Sequence, residues 1–145
     1  MKPTEVRRQL LDEHALLRAM MADARTLAAS TAERSAALHE ALAEIADALR
    51  THNVHEEELT EQVLPMLDGW GNTRKDVMRD EHVAEHRELY EALLVATTTP
   101  DRRLAAAKAN AVFDQILAHM EREERVLLAE DVLSDEELPP DSFGG

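Results

Sequence analysis

Apolar residues recur at intervals of three and four along most of the chain, the period of one face of an α-helix. The first such face runs Leu10, His14, Leu17, Met21, Ala24 and Ala28. Pro3 stands ahead of it and fits a first helical turn, where its missing N–H costs nothing. Ser30 with Glu33 has the form of a capping box and predicts the start of a second helix. The inner face of that helix reads Leu38, Leu42, Ile45, Leu49, His52, Glu56, Leu59 and Val63, and Pro65, Asp68 and Gly69 end it. Thr73 is the next expected N-cap, with Asp76 at its third position, and the third face runs Met78, His82, His86, Leu89 and Leu93. The pattern fails in Thr97–Pro100. Pro100 or Asp101 opens a fourth helix with inner face Leu104, Val112, Ile116, His119, Glu123 and Val126.

Four helices joined by short connections predict an all-α, up-down-up-down four-helix bundle over residues 1–131. From 132 to 145 the chain turns acidic and Pro-containing, a composition expected to be a mobile tail, with Ser134 and Glu137 a second capping pattern. Only Phe113, Phe143, Trp70 and Tyr90 are aromatic, so Leu, Ala, Val, Ile and Met must build the core. Those straight-chain residues and Ala suit helices.

Charge and cysteine usage narrow the function. A formal net charge of −14 argues against nucleic acid or an anionic membrane as partner. The chain has no cysteine, which removes disulfides, thiolate chemistry and iron–sulfur clusters and fits a reducing compartment. No stretch approaches the roughly 18 apolar residues of a membrane span. The charged N-terminal segment lacks an apolar leader core, so a cytoplasmic location is expected. The sequence sets no oligomeric state.

The inner faces carry ionisable residues in the wrong place for a plain core. His14 lies on the first, His52 and Glu56 on the second, His82 and His86 on the third, His119 and Glu123 on the fourth. Residues four apart stack on one side of a helix, so each pair can reach a single point. Buried charge is costly unless paired or bound to metal, and imidazole with carboxylate suits iron. A repeat supports a two-metal site. Asp12-Glu13-His14 recurs as Asp80-Glu81-His82, and His52 with Glu56-Glu57 recurs as His119 with Glu123-Glu124. The repeat breaks where Arg18 stands in the place of His86. A lone histidine on an apolar face is most often a hydrogen-bonded core residue, but five in this order are not. His39 and His55 lie off the seams and are read as surface or supporting residues. The methionines are read as packing.

The ordered set His14, His52-x3-Glu56, His82-x3-His86 and His119 with a following acid resembles the hemerythrin family, in particular its single-domain bacterial hemerythrin-like HHE proteins. The likeness covers residues from about 10 to 127. It implies a diiron centre with an oxo or hydroxo bridge, in which His82, His86 and His119 bind one iron and His14 and His52 the other. Glu56 and Glu123 are the implied bridging carboxylates, with Glu124 the alternative to Glu123. Oxygen-carrying members place that acid as an aspartate five residues after the histidine and line the pocket with aromatics. This chain does neither. The implied function is binding or sensing of O2 or a related small ligand such as NO or peroxide. The rivals are catalase-like peroxide decomposition and iron storage or sensing. On this assignment the His14/His52 iron has one ligand fewer, so small ligands are expected there, with Arg18 one turn away.

Overall fold

The computed structural model describes residues 2–30, 35–63 and 72–129. They form four helices: α1 (Pro3–Ala29), α2 (Ser35–Glu58), α3 (Asn72–Thr97) and α4 (Arg102–Val126). Each packs on the next, α1 closes the ring against α4, and α2 also touches α4. The architecture is the four-helix bundle that the periodicity predicts. Among the described residues there is no strand, and no helix is long and apolar enough to cross a membrane.

Local chemistry explains most of the boundaries. Pro3 opens α1, and the Glu5 carboxylate accepts the backbone N–H of Lys2 at 2.9 Å. At the far end Ser30 is extended and closes α1 instead of opening α2, its N–H bonded to the Leu27 carbonyl. Glu33, its expected partner, lies outside the described residues, as do Pro65, Asp68, Gly69 and the whole expected tail, 132–145. Thr73 is likewise not an N-cap: α3 already includes Asn72. The hydroxyls of Thr97, Thr98 and Thr99 bond back to carbonyls one turn earlier and let α3 unwind. Asp101 then caps α4 by accepting the N–H groups of Arg103 and Leu104. Arg102 donates to the carbonyls of Leu27 and Ser30, tying the end of α1 to the start of α4. The final stretch of the second helix differs from its expected course. Leu59–Val63 continues α2 as a π-helical turn, a wide turn frequent near functional sites.

Each helix contributes residues of its predicted stripe to one apolar core, the side chains of Val63 and Met78 lying outside those described. Leu17, Met21, Leu42, Ile45, Leu93, Phe113 and Ile116 lie at its centre, each almost free of solvent. Leu104 and Val126 do not belong to it: they are 49% and 46% exposed, and Ala105 and Ala109 face inward instead. The inward positions of α4 run 105, 109, 112, 116, 119 and 123, and Leu104 and Val126 each sit off that line. Small alanines at the start of the stripe let α4 approach its neighbours closely.

The core fills the end of the bundle where α1 meets α2 and α3 meets α4. The inner histidines follow toward the other end, and beyond them the buried Leu10, one turn from His14, and Leu59 and Leu127, about two turns from His52 and His119, close the bundle again. Within each hairpin the first histidine lies fifteen residues before its helix ends, and the second lies seventeen after the next helix begins. His14 and His52, and His82 and His119, therefore stand within two residues of one height, about 3 Å along the axis.

Candidate metal centre

Helical spacing places each inner polar group over the group one turn away, and the bundle brings the four faces together. His14, Glu56, His52, Glu123, His86 and His119 are all buried, none more than 5% exposed. His82 is the least enclosed of the inner histidines, with 12% of its side chain open. The rings form two sets. His14 and His52 are 4.6 Å apart between centroids. His82, His86 and His119 form a triangle with sides of 5.4, 5.2 and 5.8 Å.

Glu56 and Glu123 lie between the sets. Glu56 Oε1 is 3.1 Å from His14 Nε2 and also meets His52 Nε2, while its Oε2 is 3.1 Å from His86 Nε2. Glu123 Oε1 is 3.1 Å from His119 Nε2 and 3.5 Å from His14 Nε2. Glu123 Oε2 is 3.9 Å from His82 Nδ1. Two groups of potential ligand atoms result, each within 4.8 Å across: His14, His52, Glu56 and Glu123, and Glu56, His82, His86 and Glu123. Both carboxylates belong to both groups.

A second ring of acids stands outside the first. His14 Nδ1 donates to Glu124 at 2.7 Å, His52 Nδ1 to Glu13 at 2.7 Å, and His119 Nδ1 to Glu85 at 2.9 Å. An acceptor on Nδ1 keeps the proton there and turns the Nε2 lone pair toward the centre. These acids have partners of their own. Arg18 holds Glu124 at 2.8 Å, His55 and Gln9 meet Glu13, and Arg122 meets Glu85. Arg18 is 40% exposed and turned toward Glu124, not toward the centre. Glu124 is 28% exposed and lies outside the ring, whereas Glu123 lies inside it. His39 bonds the Thr99 carbonyl at 2.6 Å, about 20 Å along α2 from His52 by helical rise.

Sequence reasoning did not single out Glu85, and noticed Glu13 only as part of a repeat. Both act across helices, where no local spacing reveals a partner. The usable signal is a carboxylate within one turn of a ligand-type histidine on the adjacent helix.

The electrostatics suit a cation. Burial alone would lower the pKa of His14, but hydrogen bonds to Glu123, Glu56 and Glu124 outweigh it and raise it to about 9. Against the same burial, Glu13 and Glu56 raise His52 to about 9, and Glu123 and Glu56 raise His119 to about 10. His82 has no such hydrogen bond, and burial pushes it down to about 4. Burial opposes ionisation of Glu56, yet its hydrogen bonds with Glu123 and the histidines hold it well below the carboxylate range. Glu123 is raised by burial and by the proximity of Glu56. Several buried polar atoms meet neighbouring groups without making a hydrogen bond of good geometry: His52 Nε2, His119 Nε2, His82 Nδ1 and both oxygens of Glu123. Buried atoms so placed need a reason. Here they are nitrogen and oxygen donors converging on one point, which fits hard or borderline metal ions.

A model of the hemerythrin HHE cation binding domain matches residues 6–130, most of the chain. The protein belongs to the hemerythrin HHE family. No curated protein and no solved structure matches the chain. As an HHE domain it is a metal-binding bundle, and its His/Glu cluster is where a cation would sit. A cavity of about 180 Å3 opens between α3 and α4 and reaches that cluster at His82, His119 and Glu123.

Proposed function

We propose that the protein is a non-haem diiron protein, active in the cytoplasm, that binds or senses O2 or a related small ligand such as NO or peroxide. The observation that carries this reading is the pair of ligand groups sharing Glu56 and Glu123. Two shared carboxylates favour a pair of ions over a single one. In this reading His14 and His52 serve one iron, His82, His86 and His119 the other, and Glu56 and Glu123 bridge them. Such an iron pair supplies two electrons for exchange with a diatomic ligand or peroxide.

The chain's own residues set the conditions. Glu124, Glu13 and Glu85 hold the histidines in the tautomer that offers Nε2. Leu10, Leu59 and Leu127 close that end of the bundle with apolar side chains, while the α3–α4 cavity gives access from the side. Metal uptake must displace the protons that His14, His52 and His119 carry, so loading releases protons.

Peroxide decomposition is the second reading. It is favoured by the charged wall of the α3–α4 cavity, where Glu85 and Arg122 stand beside His119. Metal analysis with an optical spectrum of aerobically purified protein tests the diiron proposal, which expects two irons per chain. One metal, or zinc alone from iron-rich cells, would refute it. A stable oxygenated species after reduction and exposure to air marks a carrier or sensor. Sustained O2 release on adding peroxide marks the enzyme.

A further inference from the structure

Two cavities of about 180 Å3 open near the cluster, and they differ in what they reach. The one between α1 and α2 is lined by Gln9, Leu10, His55, Glu58 and Leu59, and by none of the inner histidines or glutamates. The one between α3 and α4 has His82, His119 and Glu123 in its wall.

The repeat sharpens the difference. Glu13 in α1 and Glu81 in α3 hold equivalent places, one residue before His14 and His82. Glu13 is occupied by His52 and His55. The same task in the second hairpin, accepting from His119 Nδ1, falls to Glu85, whose charge Arg122 also meets. Glu81 is left over. It is exposed, it stands in the wall of the α3–α4 cavity, and it makes no hydrogen bond or ion pair among the described residues.

One exposed carboxylate holds nothing by itself, but a second stands at the inner end of the same cavity. Glu123 is 4% exposed, and neither of its oxygens makes a hydrogen bond of good geometry. His82, 12% open, lies along the same wall. Oxygen and nitrogen donors therefore run from solvent to the buried centre, Glu81 outermost and Glu123 innermost. An ion that enters a buried site must shed its water, and donors met on the way offset that cost. We infer that the α3–α4 cavity is the route by which metal ions enter and leave the centre, with Glu81 the carboxylate that captures a dication at its mouth. This inference rests on reading the cluster as the iron site, and it holds for one ion or two.

The test follows ferrous iron mixed anaerobically with the metal-free, full-length chain, and its release to an excess of a chelator that colours on binding iron. Glu81→Lys and Glu58→Lys make the same change of charge at the mouths of the two cavities, both at exposed positions. Local charge changes association rates by about ten- to a thousandfold. Glu81→Lys should therefore slow uptake at least about tenfold, and Glu58→Lys less than about twofold. Concentrated salt should shrink the Glu81 effect. Val126, half-exposed in the α3–α4 cavity wall, can be enlarged without a change of charge. A narrowed route is narrowed in both directions, so Val126→Trp should slow uptake and release by one factor, at least about tenfold, at unchanged Kd. Equal slowing by the two lysine variants would be an effect of net charge and overturns the inference. So do unchanged rates in Val126→Trp. An unmodified chain that takes up no ferrous iron overturns the metal-site reading and the inference with it, whereas normal affinity with unchanged rates in every variant overturns the inference alone.

Discussion

In the α1–α2 hairpin both inner histidines have their outer nitrogens tied to carboxylates, His14 to Glu124 and His52 to Glu13. In α3–α4 only His119 is tied that way, and the hairpin adds a third histidine and a cavity that reaches His82. Heights along the axis are the same in both. The inner arrangement follows from helical period, which repeats between the hairpins. The outer arrangement depends on which residues of a neighbouring helix face outward, and that does not repeat. The inner nitrogens are thus fixed from outside in one hairpin and only in part in the other.

The comparison breaks first at the carboxylates the hairpins share. Glu56 is fully buried and belongs to both ligand groups. Glu56→Gln should therefore empty both positions, not one. A ligand at a thousand times its Kd stabilises by about 4 kcal/mol. Losing two such ligands, about 8 kcal/mol, should lower the Tm of the iron-loaded protein by roughly 20 °C for a chain of this size. Calorimetry with metal analysis measures both. A variant that keeps two irons would mean that the hairpins bind independently.

The outer acids come next. Glu13→Gln and Glu124→Gln should each weaken metal binding by about 10–100-fold, the usual cost of losing such a support. Glu57→Gln should change little, because Glu57 stands 3.7 Å from His86 Nδ1. Competition with a chelator gives the affinities. Equal losses in all three variants would erase the difference between anchored and unanchored histidines.

The inner side of this contrast was legible in the sequence. A period of 3.6 residues puts His52 over Glu56 and His119 over Glu123, and it separates Glu123 from Glu124 by about 100° around the helix. The structure accordingly buries Glu123 and leaves Glu124 outside, 28% exposed. The outer side was not legible. Glu124 bonds a histidine 110 positions earlier, which no local pattern announces. Arg18 occupies the place of His86 in the repeat, yet its length carries it out to Glu124. Leu104 misled because a large apolar side chain outweighed the alanine stripe beside it.

The metal-free protein offers a pH test of the same asymmetry. His14, His52 and His119 are raised from 6.5 to about 9, 9 and 10. A raised pKa gives stability that is complete below 6.5 and lost as pH climbs through the folded value. His82, lowered to about 4, works the other way: its contribution is present above 6.5 and lost as pH falls toward 4. His82 has no part above 6.5, so the three raised histidines act alone there and thermal melts of the metal-free chain should show Tm falling between about pH 6.5 and 10. Iron-loaded protein should show a flatter profile there, because metal replaces the protons on the inner nitrogens. A metal-free Tm that rises over that range would contradict the proposed proton load.

The smallest expected effect separates the two arginines. Arg18 supports Glu124 in one hairpin, and Arg122 supports Glu85 in the other. Their side chains are 40% and 56% exposed, and exposed ion pairs contribute about 0–1 kcal/mol. Each carboxylate also accepts from a buried histidine, which holds it in place without help. Arg18→Ala and Arg122→Ala should therefore shift Tm by no more than about 2 °C and metal affinity by no more than about threefold. The Arg18 effect should be the larger, because its pair is less exposed. Concentrated salt should remove most of either effect, since it screens exposed charges and leaves the buried histidine–carboxylate bonds alone. A tenfold loss of metal affinity from Arg18→Ala that survives salt would make the arginine, and not the carboxylate, the anchor of His14. The α1–α2 hairpin would then owe its firmer hold to the very residue that breaks the repeat.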